Sequence, residues 1–137
     1  MKKTIILFSL FLMIFQGCSK VNIVELPITT SSPKSLEYYK KAMLSYQVGD
    51  GLEKRALLDS ALSLDPNFVM ALELYESQDP ILNREYQERA KKNAANVSEA
   101  ERKILTARQS YRKGDMDKAL ESAKWLVENH SQSYESY

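Results

Sequence analysis

One phrase constrains this chain more than any other, because it is written twice. Tyr46-Gln47-Val48-Gly49-Asp50 is followed by Ala61-Leu62-Ser63-Leu64-Asp65-Pro66. Sixty-five residues on, Tyr111-Arg112-Lys113-Gly114-Asp115 is followed by Ala119-Leu120-Glu121. Each copy ends one helix-forming run on Gly-Asp and opens another. Repetition of this kind predicts stacked helical hairpins, none of which can bury its own apolar face alone. Stacked hairpins offer surfaces for binding.

The helix punctuation is equally plain. Ser32-Pro33 reads as an N-cap with proline in the first turn, where its missing N–H costs nothing. A first helix is predicted to about Val48, and Gly49-Asp50-Gly51 breaks it. A second is predicted over 52–64, stopped by Asp65-Pro66, and a third over 67–77, stopped by Asp79-Pro80. A fourth covers 81–95. Ser98 and Glu101 make a capping box that opens a fifth, running to Lys113. After Gly114-Asp115 the sixth ends near Asn129. Apolar residues recur at helical spacing, as in Leu57, Leu58, Ala61, Leu62 and Leu64, so each helix carries a stripe that needs a neighbour. No alternating β-branched run suggests a strand. The fold class expected is all-α, three antiparallel hairpins over residues 35–133.

The first residues read as an address. Met1-Lys2-Lys3 is basic, and Thr4 to Phe15 is almost wholly apolar. That stretch is shorter than the ~20 residues of a membrane span and fits a secretory signal. Gln16-Gly17-Cys18 follows, with the chain's only cysteine. It resembles the lipobox of bacterial lipoproteins, which implies cleavage after residue 17 and acylation of Cys18. Ordinary secretion and an uncleaved anchor are the alternatives. A lone exported cysteine cannot form an internal disulfide, and acylation gives it a role. The resemblance, with Ser19 after the cysteine, implies a lipid-anchored protein of the cell envelope, at the outer membrane facing the periplasm. Residues 18–34, with Pro27, Thr29, Thr30, Ser31, Ser32 and Pro33, read as a flexible tether.

Loss of residues 1–17 would remove Lys2 and Lys3 of the 19 basic residues, leaving 17 against 18 acidic ones. That balance does not suit a nucleic-acid binder. No phosphate loop is present, and no histidine-cysteine cluster for a metal. His130 is the only histidine; nothing sets it in a catalytic triad, and it suits a helix C-terminus. No catalytic residue, metal or cofactor is expected. Asn96-Val97-Ser98 matches a glycosylation sequon but reads better as a helix cap. Trp125 is either a packing residue or a binding anchor.

The two copies resemble the tetratricopeptide repeat, a helical hairpin of about 34 residues. The first repeat, 35–67, supplies Tyr38, Ala42, Tyr46, Gly49, Asp50, Leu58, Ala61 and Pro66 at family positions, with Lys54 where a small residue is usual. The third, 98–133, supplies Ala107, Tyr111, Gly114, Asp115 and Ala119. The middle one, 68–97, is degenerate and shorter. The stretch Val97-Ser98-Glu99-Ala100-Glu101-Arg102 is similar to one that opens repeats in a bacterial subtype. Residues 134–137 would begin a fourth repeat, so the chain is either a minimal three-hairpin unit or the N-terminal piece of a longer array, and the longer array is expected. The resemblance implies a solenoid whose first helices line a peptide groove. Tyr39, Met43, Tyr46, Arg108, Tyr111 and Arg112 would face it, joined by Leu36, Gln47, Glu101 and Ile104. Tyr39 and Met43 stand where the family's carboxylate clamp would be, so no such clamp is expected. The function implied is a membrane-tethered scaffold for a protein or peptide partner. The alternative is the N-terminal module of a longer envelope protein whose activity lies beyond residue 137.

Overall fold

The computed structural model describes residues 26–130. Among them are six α-helices, one short 3-10 turn and no strand. They are α1 (Pro33–Gln47), α2 (Gly51–Leu64), α3 (Val69–Leu74), α4 (Pro80–Asn93), α5 (Glu99–Lys113) and α6 (Met116–His130), with the 3-10 turn Ala94–Asn96 after α4. Successive helices pack in pairs, α1 on α2, α3 on α4 and α5 on α6. The middle pair joins the outer two through α3, which touches both α2 and α5.

The repeated phrase gives the same turn twice. Gly49 and Gly114 adopt φ of +80° and +78°, the left-handed region open to glycine. Around each, the bonds correspond. The Asp50 N–H donates to the Ser45 carbonyl at 2.9 Å, and the Asp115 N–H to the Ser110 carbonyl at 2.9 Å. The Asp50 and Asp115 carboxylates then cap the next helix, accepting the backbone N–H of Glu53 and Lys118 at 2.9 and 3.2 Å. Exit from one helix and entry to the next are thus settled within five residues.

The other caps follow the sequence as well. Ser32 accepts the Ser35 N–H. Asp79 accepts the N–H groups of Ile81 and Leu82 ahead of α4. Ser98 and Glu101 form a complete capping box at the start of α5, so the Asn96 sequon lies at that cap. Helix α3 departs from expectation. It ends at Leu74 rather than near Ser77, because Tyr75 turns to extended backbone with ψ of 129°. The cause lies six residues on. Asn83 accepts the Ser77 N–H and donates to the Ser77 carbonyl, both at 2.8 Å, which withdraws Ser77 from any helical ladder.

All six residues of α3 are buried. Phe68, Val69, Met70 and Leu72 are the centre of a core that also takes Tyr39, Ala42, Met43, Leu58 and Ala61 from hairpin one. Ala90, Ala100, Ile104, Leu105 and Leu126 extend it into α4, α5 and α6. Apolar burial on this scale is the main favourable term in folding.

The tether expected over 18–34 takes a different form where it is described. Pro33 and Lys34 already belong to α1, and residues 26–32 are docked on the domain. Leu26 is buried and Ile28 packs against the core. Thr29 donates its N–H and hydroxyl to the two oxygens of Glu101, at 2.8 and 2.6 Å. The Thr30 hydroxyl and Ser31 N–H donate to Asp65, at 2.6 and 2.8 Å. This strap ties the end of α2 to the first turn of α5. Proline and hydroxyl residues leave backbone groups free, and the two carboxylates take them up. Cys18, residues 1–17, expected as a signal segment, and residues 134–137 lie outside the described residues.

Candidate functional site

An open groove of ≈ 670 Å³ runs along the third hairpin. Its walls are Ala107, Arg108, Tyr111 and Arg112 from α5 and Met116, Ala119, Leu120 and Ala123 from α6. Tyr46 at the end of α1, and Glu73, Leu74 and Glu76 at the end of α3, close one side. The α6 residues fall at i, i+3, i+4 and i+7, a single apolar stripe. Met116 is 55% exposed and Leu120 54%, so this stripe has no helix over it among the described residues.

Of the six residues expected in a groove, the structure brings four together: Tyr46, Arg108, Tyr111 and Arg112. Tyr39 and Met43 are placed elsewhere. Both are buried in the core, and the Tyr39 ring packs on Phe68 with centroids 5.1 Å apart. The reason is that Phe68 and α3 cover the face of hairpin one on which those two side chains lie. Glu101 and Ile104, expected beside them, are buried too; Glu101 is fully buried and holds the strap. Leu36 packs partly buried against the core, and Gln47 is exposed.

The groove's charges are mostly engaged. Arg112 donates to Oε1 of Glu73, whose side chain is fully buried. The second oxygen of Glu73 has no partner among the described residues. Lys54, which is buried, donates to Glu76 at 3.1 Å. Its ammonium lies 5.1 Å from the centre of the Tyr46 ring, a cation–π contact that fixes one rim. Burying a lysine is costly unless it is paired, and Glu76 with Tyr46 supplies the pairing. Arg108 has no ion-pair or hydrogen-bond partner among the described residues.

Two other features bear on the site by contrast. Trp125 is half-buried against the core, with the Lys103 ammonium 5.4 Å from its ring centre and the His130 ring 5.8 Å away. It lies outside the groove. Tyr75, at the end of α3, meets Tyr86 edge-on at 4.7 Å. Burial, reinforced by a hydrogen bond to Asp59, pushes its phenol up to about 12. At Asp65, burial would raise the carboxyl, but the hydrogen bonds from Thr30 and Ser31 outweigh it and hold it below the ordinary value of 3.8.

Among the described residues no group of three or more His, Cys, Asp or Glu could hold a metal ion. No described helix is long and apolar enough to cross a membrane. The α6 half of the groove was not anticipated, although Met116, Ala119, Leu120 and Ala123 stand in the sequence as a periodic stripe. Glu73 carried no such signal, since its link to Arg112 spans 39 residues.

Comparison with known protein families, with curated proteins and with solved structures finds no match to this chain. The helices and their pairing define an all-helical domain of three hairpins among the described residues.

Proposed function

We propose that this chain is a lipid-anchored, tetratricopeptide-like scaffold of the bacterial cell envelope that holds a protein or peptide partner. The observation that carries the reading is the open groove, walled by an apolar stripe of α6 and by Tyr46, Tyr111, Arg108 and Arg112. Tyrosine, methionine and arginine are enriched in interface cores. The twin turns at Gly49 and Gly114 support a repeat relationship between hairpins one and three. Acylation of Cys18 would set the domain at a membrane surface, with the anchor eight residues ahead of the strap 26–32 in the sequence. Neither metal nor cofactor has a part in this reading, and nucleic acid is not the partner.

The test has two arms. The intact mass of the protein from its own membranes should equal residues 18 onward plus lipid; an unmodified Cys18 removes the anchor from the proposal. Photo-crosslinking from the groove should capture a partner in the native envelope. Tyr46→Ala with Tyr111→Ala should abolish that capture while helicity stays unchanged. Undiminished capture by the double variant sinks the groove.

A further inference from the structure

The two hairpins that share a turn differ in what lies on them. Since the turns correspond bond for bond, residues 65 apart occupy equivalent places. On hairpin one, Ala42, Met43, Leu58 and Leu62 are all buried, in one cluster with Phe68, Val69 and Leu72 of the segment that follows. On hairpin three the equivalents are Ala107, Arg108, Ala123 and Val127. The first three are only half-buried, and Val127 is 42% exposed. The seat that α3 fills on hairpin one stands open on hairpin three. Its filled copy shows what fits: a short helix entered by an aromatic residue, with aliphatic residues one and four positions later.

Charge narrows the occupant further. Four charged residues line the groove. Arg112 is paired with Glu73, and Glu76 with Lys54. Arg108 is paired with nothing among the described residues, and it stands where hairpin one has Met43. A helix laid in the seat would take the Arg108 guanidinium out of water. Such a charge is tolerated only when an opposite charge meets it.

Resting on the scaffold reading above, we propose that the α5/α6 seat binds an amphipathic helix of a partner protein. Its apolar face meets Ala107, Ala123 and Leu120, and it carries a carboxylate opposite Arg108. The repeat explains the shape of this ligand, and the unpaired arginine its polarity.

The experiment uses the full chain in detergent and labelled synthetic helices, read by fluorescence anisotropy. The parent peptide copies residues 66–78, the helix that fills the equivalent seat. Paired variants carry Glu or Lys in turn at Val69, Met70 and Leu72. At one of these positions the Glu peptide should bind about tenfold tighter than its Lys twin. In the Arg108→Met protein that preference should fall below about twofold, while the unsubstituted copy binds better. Leu120→Asp should remove all binding. A preference that is absent, or that survives Arg108→Met, overturns the carboxylate. No peptide binding, alongside intact Tyr46- and Tyr111-dependent capture, overturns the helical seat and leaves the scaffold reading standing. Loss of both removes that reading as well. An unreactive thiol in Leu120→Cys protein alone, with the seat covered by a second copy or by chain beyond His130, also overturns the proposal.

Discussion

Hairpins one and three close with the same turn and carry opposite fates on their outer faces. Around Gly49 and Gly114 the backbone bonds correspond, and the aspartate that follows each glycine caps the next helix. Eight residues beyond each aspartate the surroundings differ. Leu58 is fully buried under the middle hairpin, whereas Ala123, its equivalent, lines an open groove. A turn is decided by a few neighbouring residues, so two copies of the phrase give two copies of the structure. A face is decided by what arrives to cover it, and only hairpin one is followed, among the described residues, by a helix that does so.

The contrast can be broken most easily in the core. Leu58→Ala should destabilise the fold by about 2–5 kcal/mol in denaturant unfolding, the cost of a cavity at a fully buried leucine. Ala123→Leu should change stability by less than about 1 kcal/mol, since it extends a half-open surface. Equal costs would mean that the two faces are not covered differently after all.

The strap offers the next largest effect. Glu101 sits where hairpin one has Leu36, and its carboxylate serves Thr29 and Ser98 together. Glu101→Ala should cost about 2–3 kcal/mol, from a lost cap and donors left without an acceptor. Hydrogen exchange at the Thr29 amide should rise to that of free chain. Leu36→Ala, losing only half-buried apolar area, should cost about 1 kcal/mol and leave Thr29 protected.

At the turns the two hairpins should behave alike. An added Cβ meets nothing within 4 Å at either Gly49 or Gly114, so only the left-handed backbone resists substitution. Gly49→Ala and Gly114→Ala should each cost about 1 kcal/mol and agree within a few tenths. A marked inequality would show that the turns are held by different surroundings.

The smallest effect is a pH dependence at the hairpin-one end of the strap. Asp65 is held below its ordinary value of 3.8 in the folded state. Its contribution is therefore complete above that value and is lost as pH falls through the lower folded value. Protection of the Ser31 amide, taken against the intrinsic exchange rate at each pH, should hold at neutral pH and fall in that acid range. Asp65→Asn should remove the dependence.

Much of this was legible beforehand. Five of the six helices lie within two residues of the bounds their caps and breakers imply. Ser32 and Ser98 cap helices as expected, and Asp50, Asp79 and Asp115, read only as breakers, cap the helices that follow them, because capping is settled between a side chain and backbone two or three residues away. The exception is α3, ended early by Asn83 from the next helix. The groove was legible in part. Tyr46, Arg108, Tyr111 and Arg112 meet there, on the first helices of their hairpins. Tyr39 and Met43 do not, because a repeat position tells which face a side chain is on and not whether another helix covers that face. The strap was misread for a related reason. Threonine and proline look like linker until a distant carboxylate accepts their hydrogen bonds.

The sequence by itself determined the helices, the caps and the twin glycine turns, all local matters of backbone sterics and short-range hydrogen bonds. The tertiary structure alone decided that Glu101 and Asp65 hold the strap, that Glu73 engages Arg112, and that one of two equivalent faces is buried while the other is open. The strap and the Glu73–Arg112 pair join residues between 34 and 72 positions apart. Contacts of that range depend on how whole helices stack, and no window of sequence contains the partners that make them.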